Sequence, residues 1–261
     1  MPIVTAFDVA NFKLNWALHH LSLLDDTLSK FRQARQQTKW RIDETDERFY
    51  VLREKAITIE TERLGLIAGD VIHNIRSSLD YIAVGLDDPI RYHPLPLKGK
   101  CRTKRPKPAF PISNQAEYVG KVIQCMPPLA QDIIKSLQIY DPRSGSIGKL
   151  LWTLNDAWNA DKHRGIISVL RMRESFPIMQ GIEYLSEDDE IVVRISKALN
   201  LKPKEYPASP FREILIWGSE GHQIDRPIDE LRAIYNAVRD DVLPRFECFF
   251  PYGNTPITPA Q

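Results

Sequence analysis

Apolar residues early in the chain recur at three- and four-residue steps. Phe12, Trp16, His20, Leu23, Leu24 and Phe31 predict a helix over roughly 9–36, with Asp8 as its N-cap. The pattern then switches to alternation. Residues 39–43 and 48–57 flank Glu44-Thr45-Asp46-Glu47, which predicts a β-hairpin. Helical spacing returns over about 62–87. Residues 88–111 have no apolar period. They are rich in proline and carry Lys98, Lys100, Arg102, Lys104, Arg105 and Lys107, which predicts an exposed basic loop. Its length suits a functional or mobile segment.

Two short helices are predicted near 115–124 and 128–137, then a turn at 141–145 and a helix over about 147–163. The texture changes after that. Residues 165–173, 178–185, 190–195 and 212–217 are rich in β-branched and aromatic types and predict antiparallel strands. Ser186-Glu187-Asp188-Asp189 predicts a turn between two of them. A last helix is predicted over about 228–246, followed by a frayed tail over 251–261. Helices, then strands, then a helix indicate an α+β fold. We expect one domain over 1–261: a helical bundle core (9–165 and 228–246), an N-terminal β-hairpin and a C-terminal antiparallel sheet over 166–218. The first and last helices are expected to pack with the two polar helices described next.

On a wheel of about 100° per residue, the helix at 62–87 splits into two halves. Ala68, Ile72, Ile75, Leu79, Ile82 and Leu86 share one side; Asp70, His73, Asn74, Ser77, Asp80 and Tyr81 share the other. Arg76 sits at the boundary, and its i, i+4 spacing predicts a pair with Asp80. The polar half reads either as a solvated face or as one wall of a cleft. Its lack of Lys and Glu favours the cleft.

The second polar helix runs through Trp152, Asn155, Asn159 and His163, which share a face. Leu150, Leu154, Ala157 and Trp158 form its apolar side. Asp161 projects onto that apolar side, which is anomalous unless the helix has ended or the acid pairs with Lys162 or Arg164. His163 is placed to satisfy carbonyls at the helix C-terminus.

Composition narrows the classes. Hydrophobic content of 43%, charged content of 26% and a net charge of +1 are ordinary globular values and argue against nucleic-acid binding by bulk charge. Cys101, Cys125 and Cys248 show no CxxC spacing, so neither a disulfide scaffold nor a structural zinc site is expected, and a reducing compartment fits. The N-terminus lacks a signal-peptide pattern, and no stretch approaches the ~18 apolar residues of a membrane span. These features predict a cytoplasmic protein with no membrane partner and no cofactor. GxSxG, Walker A, GxGxxG and HExxH patterns do not occur. Of the other histidines, His19 and His20 fall on the first helix, one of them inward, and His93 and His222 fall in loops.

Four segments carry a resemblance. GDVIHNIRSSLDYIA at 69–83, FPI at 110–112, LQIY at 137–140 and LNDAWNADKHR at 154–164 resemble a widespread bacterial family of uncharacterised proteins, over roughly 10–170. The family's Arg-x4-His pattern is in turn similar to the motif of HEPN domains, helical bundles that often cut RNA without a metal. That likeness implies that Arg76 stabilises phosphate charge and that a histidine transfers protons. Tyr81 stands where the histidine is expected, and tyrosine's pKa of about 10 makes it a poor proton shuttle. His73 or His163 would then substitute.

Three readings follow. In the first, Arg76, His73, Tyr81 and His163 act on RNA in a toxin or phage-defence setting, with Asp70, Asn74, Asp80, Asn155, Asn159 and Lys162 binding. The basic loop would hold the phosphate backbone, and the HEPN likeness implies a homodimer. In the second, Asp70-x-x-His73 with His163 and Asp161 holds a metal. In the third, the protein is a non-enzymatic structural or interaction protein. Its polar helices would then form a buried hydrogen-bond network, with His73 and Asn155 as satisfied core groups. The sequence leaves open whether any reaction is catalysed.

Overall fold

The computed structural model describes residues 4–36, 41–55, 61–87, 109–164, 168–173, 182–187, 190–199, 211–217, 222–225 and 227–250. The basic loop over 98–107 and the tail over 251–261 lie outside the described residues. The fold is α+β. Its helices are α1 (Ala6–Gln36), α2 (Thr61–Asp87), α3 (Ala116–Ile123), α4 (Pro128–Ser136), α5 (Gly145–Arg164) and α6 (Pro227–Asn236). No helix among the described residues is long and apolar enough to cross a membrane.

α1 and α2 pack antiparallel along a continuous apolar seam. On α1 the buried positions are Ala10, Leu14, Ala17, Leu21, Leu24, Leu28 and Phe31, alternating steps of four and three. That spacing is the heptad period of helices that stay in contact over their length. α2 answers with Leu64, Ala68, Ile72, Ile75, Leu79, Ile82 and Leu86, so the apolar half of its wheel was read correctly. α5 and α6 close the core with Leu151, Leu154, Leu231 and Ile234. The last helix packs with both α2 and α5, as expected, whereas α1 packs with α2 and with the last helix.

Several boundaries differ from the expectation. α1 starts at Ala6, and Asp8 is not its cap. The Thr5 amide donates to Asp8 Oδ2 at 2.8 Å while the Asp8 amide donates to Thr5 Oγ1 at 3.1 Å. This reciprocal capping box puts the cap three residues earlier. α5 continues to Arg164, so Asp161 does not mark a helix end. The last helix is not uniform. α6 gives way to a wider π-type segment over Ala237–Val242 and a tighter 3₁₀ segment over Leu243–Phe249, and Pro244 cannot donate the bond that would continue it.

The strands form two antiparallel sheets. β1 (Arg41–Asp43) and β2 (Phe49–Lys55) make the predicted hairpin. β2 also pairs along its whole length with β5 (Glu190–Ser196), which pairs with β4 (Ile182–Glu187), giving the order β1-β2-β5-β4. The hairpin is therefore part of a sheet with the C-terminal strands, not a separate unit. Lys197 locks its turn by donating to the carbonyls of Glu44 and Asp46 at 3.0 and 2.7 Å. β3 (Ser168–Arg173), β6 (Phe211–Trp217) and β7 (His222–Asp225) form the second sheet. His222 lies in β7, a strand too short to stand out by alternation, and not in a loop.

Among the described residues, Cys248 is a free, exposed thiol.

Candidate functional site

Arg76 lies on the flank of α2 that turns towards residues 109–113 and α5. It is 4% exposed. Its Nη1 donates to Asp80 Oδ1 at 2.7 Å, and its Nη2 donates to the Phe110 carbonyl at 2.7 Å. The same Asp80 oxygen accepts the Phe110 amide at 2.9 Å. One ion pair thus satisfies both backbone groups of a single residue. Arg76 Cζ also sits 5.2 Å from the centre of the Trp158 ring on α5, a stacking that suits a planar guanidinium. Burial pushes Arg76 down from its ordinary value and pushes Asp80 up, with each partner's charge opposing the shift.

The strap continues. Gln138, just past α4, donates to the Pro111 carbonyl at 2.9 Å and accepts the Ser113 amide at 3.0 Å. The Phe110 side chain is fully buried and meets Phe246 edge-on at 5.9 Å. Phe110 was expected at the end of an exposed loop; it is a core anchor. Sequence reasoning quoted FPI and LQIY as resemblance motifs but gave them no role. The structure gives them one: RSSLD, FPI and the glutamine of LQIY are three parts of one latch. A latch of this kind must be built, because the strap's amides and carbonyls lie in the core and need partners there.

Asp70, His73, Ser77 and Tyr81 of α2 lie on its outer side, unlike Asn74. Asp70 and His73 are exposed, and Ser77 Oγ lies 3.4 Å from His73 Nε2. Tyr81 is 37% exposed. Asn74 is buried at the seam, donates to the Asp70 carbonyl at 2.8 Å and accepts from Lys13 of α1 at 3.4 Å. His20 of α1 is half-buried, with Nδ1 4.0 Å from Asp70 Oδ2, and stacks on Trp16. His20 is thus the inward histidine of its pair. His73 is not a satisfied core group; its position on the wheel is the outer one.

Among the described residues, Asn155 and Asn159 do not join α5 to the polar stripe of α2: Asn155 is half-buried and Asn159 exposed, and no hydrogen bond joins either to α2. The side chains of Lys162 and His163 lie outside the described residues. Besides Trp158 on Arg76, Asp161 approaches α2, with Oδ1 3.2 Å from where a Cβ on Gly69 would stand. Gly69 resolves the Asp161 anomaly: an acid can occupy the apolar side of α5 because the facing helix has no side chain there. Burial raises the Asp161 carboxyl above its ordinary range; His73 opposes the shift and Asp70 adds to it. Among the described residues, no three His, Cys, Asp or Glu side chains are grouped to hold a metal. The chain matches no family model, no curated protein and no solved structure.

Proposed function

We propose that this is a non-enzymatic interaction protein whose Arg76-Ser77-Ser78-Leu79-Asp80 segment is a folding device. The observation that carries this reading is the commitment of Arg76. A phosphate-binding arginine must open its N–H groups to a ligand; Arg76 is 4% exposed, its Nη1 and Nη2 each donate within the protein, to Asp80 and to the Phe110 carbonyl, and its Nε is buried without a partner. Breaking such a pair leaves a buried charge without its partner, and that cost keeps the latch closed. The functional surface is then the outer one, on α1 and the exposed half of α2.

One observation favours a second reading, a HEPN-like RNA-binding protein or degenerate metal-independent RNase with a toxin or defence role. His73, Ser77 and Tyr81 share the outer stripe of α2, so a titratable group, a hydroxyl and a phenol are open to solvent together. One experiment separates the two. Purified protein is assayed for RNA binding and cleavage, with His73→Ala and Tyr81→Phe as variants. Salt-dependent binding, or cleavage lost in His73→Ala, supports the RNA reading. No binding and no cleavage, with Arg76→Ala strongly destabilised, supports the interaction reading.

A further inference from the structure

The outer face of the α1–α2 hairpin carries an aromatic ladder that neither the latch nor the core uses. Phe12 meets Trp16 edge-on at 6.3 Å, and Trp16 stacks on His20 at 5.9 Å. Phe12 is 50% and Trp16 44% exposed. The Lys13–Asn74 and His20–Asp70 contacts show that this side of α1 borders the outer stripe of α2. There α2 exposes Tyr81 and, at 43%, Val84. The rings of α1 hold one another, so the surface is formed before anything binds it. Trp16 and Tyr81 each bring a donor, an indole N–H or a phenol, to the edge of an apolar ring. Polyproline II segments dock into aromatic grooves of this kind, because they present proline rings and carbonyls that no internal hydrogen bond uses.

We propose that the occupant of this groove is the chain's own segment 251–261, seated through Pro256-Ile257-Thr258-Pro259. The segment has the Pro-x-x-Pro spacing of a polyproline II ligand and no charged side chain. The point from which it leaves is fixed. Phe250 is buried, its ring stacks on Phe7 at 5.7 Å, and it abuts Ala6 and Gly85 where α1 begins and α2 ends. From Ala6, Phe12 lies about 9 Å along α1 and Trp16 about 15 Å, and passing round the helix adds about 10 Å. The path from Phe250 is therefore about 19 Å to Phe12 and about 25 Å to Trp16. At about 3.1 Å per residue, Pro256 lies about 19 Å from Phe250 and Pro259 about 28 Å. The two prolines reach the two exposed rings.

The proposal rests on the interaction reading, which puts function on this face, and it names how the face is regulated: the segment covers the surface that a partner would use. Charge suits this occupant. Asp8 is held by Thr5, and Lys13 donates to Asn74 at 3.4 Å. The groove thus matches an uncharged segment and not a phosphate backbone, which requires a run of cations. Covalent attachment strengthens the match. A segment tethered within a few residues of its groove is present at about millimolar effective concentration, so a modest affinity keeps it seated.

The test is photo-cross-linking in the full chain, with p-benzoylphenylalanine in place of Ile257 and the products mapped by mass spectrometry. The expected product is an intramolecular cross-link to the α1 peptide holding Phe12 and Trp16 or to the α2 peptide holding Tyr81. Its yield is expected to be the same from about 1 to about 100 µM, as tethering requires. Trp16→Glu and, separately, Pro256→Asp with Pro259→Asp are expected to cut that yield at least about fivefold. Leu129→Glu, at an exposed apolar residue on α4, is expected to leave it unchanged. The proline variants leave the core untouched, so they carry the test if Trp16→Glu lowers stability. The proposal is overturned by cross-links that scatter, that map to another element, that join two chains, or that survive the substitutions. Those outcomes leave the interaction reading standing, because it fails by a different result, RNA cleavage lost in His73→Ala.

Discussion

Two sets of polar residues share α2 within three turns, and they do opposite things. Arg76 and Asp80 turn inward and are consumed by the backbone of Phe110. Asp70, His73 and Ser77 turn outward and make only long or local contacts. Every residue in both sets looks chemically capable in the sequence. What separates them is the number of committed hydrogen bonds, and that number depends on a strap 30 residues from Asp80 and 34 from Arg76. Chemical capability on a helix is therefore no guide to function until the partners of each group are counted.

The largest predicted effect breaks the inner set. Arg76→Ala should cost about 3–5 kcal/mol in denaturant unfolding, because it removes a buried side chain and leaves the partly buried Asp80 carboxylate and the Phe110 carbonyl without their donor. Arg76→Lys should recover little, since a point charge cannot serve Asp80 and the Phe110 carbonyl together. Phe110→Ala should also cost about 3–5 kcal/mol, through the cavity left against Phe246.

A smaller effect concerns how the helices meet. A Cβ on Gly85 would stand 2.6 Å from the Phe250 ring and 2.7 Å from Ala6 Cβ. Gly85→Ala should therefore lower stability by about 1–3 kcal/mol, although alanine favours helix. The outer set should be nearly silent by comparison. His73→Ala and Ser77→Ala should each change unfolding free energy by less than about 0.5 kcal/mol. A large loss at His73 would erase the contrast between the two flanks.

The smallest effect is in pH, and it has opposite signs in two places. Burial raises the Asp80 carboxyl above its ordinary 3.8, so the folded protein takes up this proton more readily than the unfolded chain. Its contribution is full below 3.8 and declines as pH rises through the raised value. Asp43 and Asp46 in the hairpin turn are lowered, the first by the Thr45 hydroxyl and the second by the Arg48 amide. Their contribution is present above 3.8 and is lost as pH falls through the lowered values. Acid titration of stability should therefore flatten in Asp43→Asn and steepen in Asp80→Asn, relative to wild type.

The α1–α2 seam was legible because periodicity alone determines which side of a long helix is buried. The hairpin was legible because alternation flanks a turn rich in Asp and Glu. Its union with β5 was not, since strand pairing across 140 residues leaves no local mark. The Arg76–Asp80 pair was legible from spacing, but its inward direction was not: a boundary position on the wheel can turn either way, and the strap that decides it follows a proline-rich stretch that reads as loop. Asp161 looked like a fault in α5 because the residue that accommodates it, Gly69, is on another helix.

The central claim is that Arg76 and Asp80 hold the strap at Phe110. Hydrogen exchange of the Phe110 amide tests it most directly. We predict a protected amide in wild type, and exchange at least about tenfold faster in Asp80→Ala than any change seen at the Leu79 amide in the helix core, equivalent to about 1.4 kcal/mol of local opening. A Phe110 amide that exchanges freely in wild type, or that is indifferent to Asp80→Ala, would contradict the account.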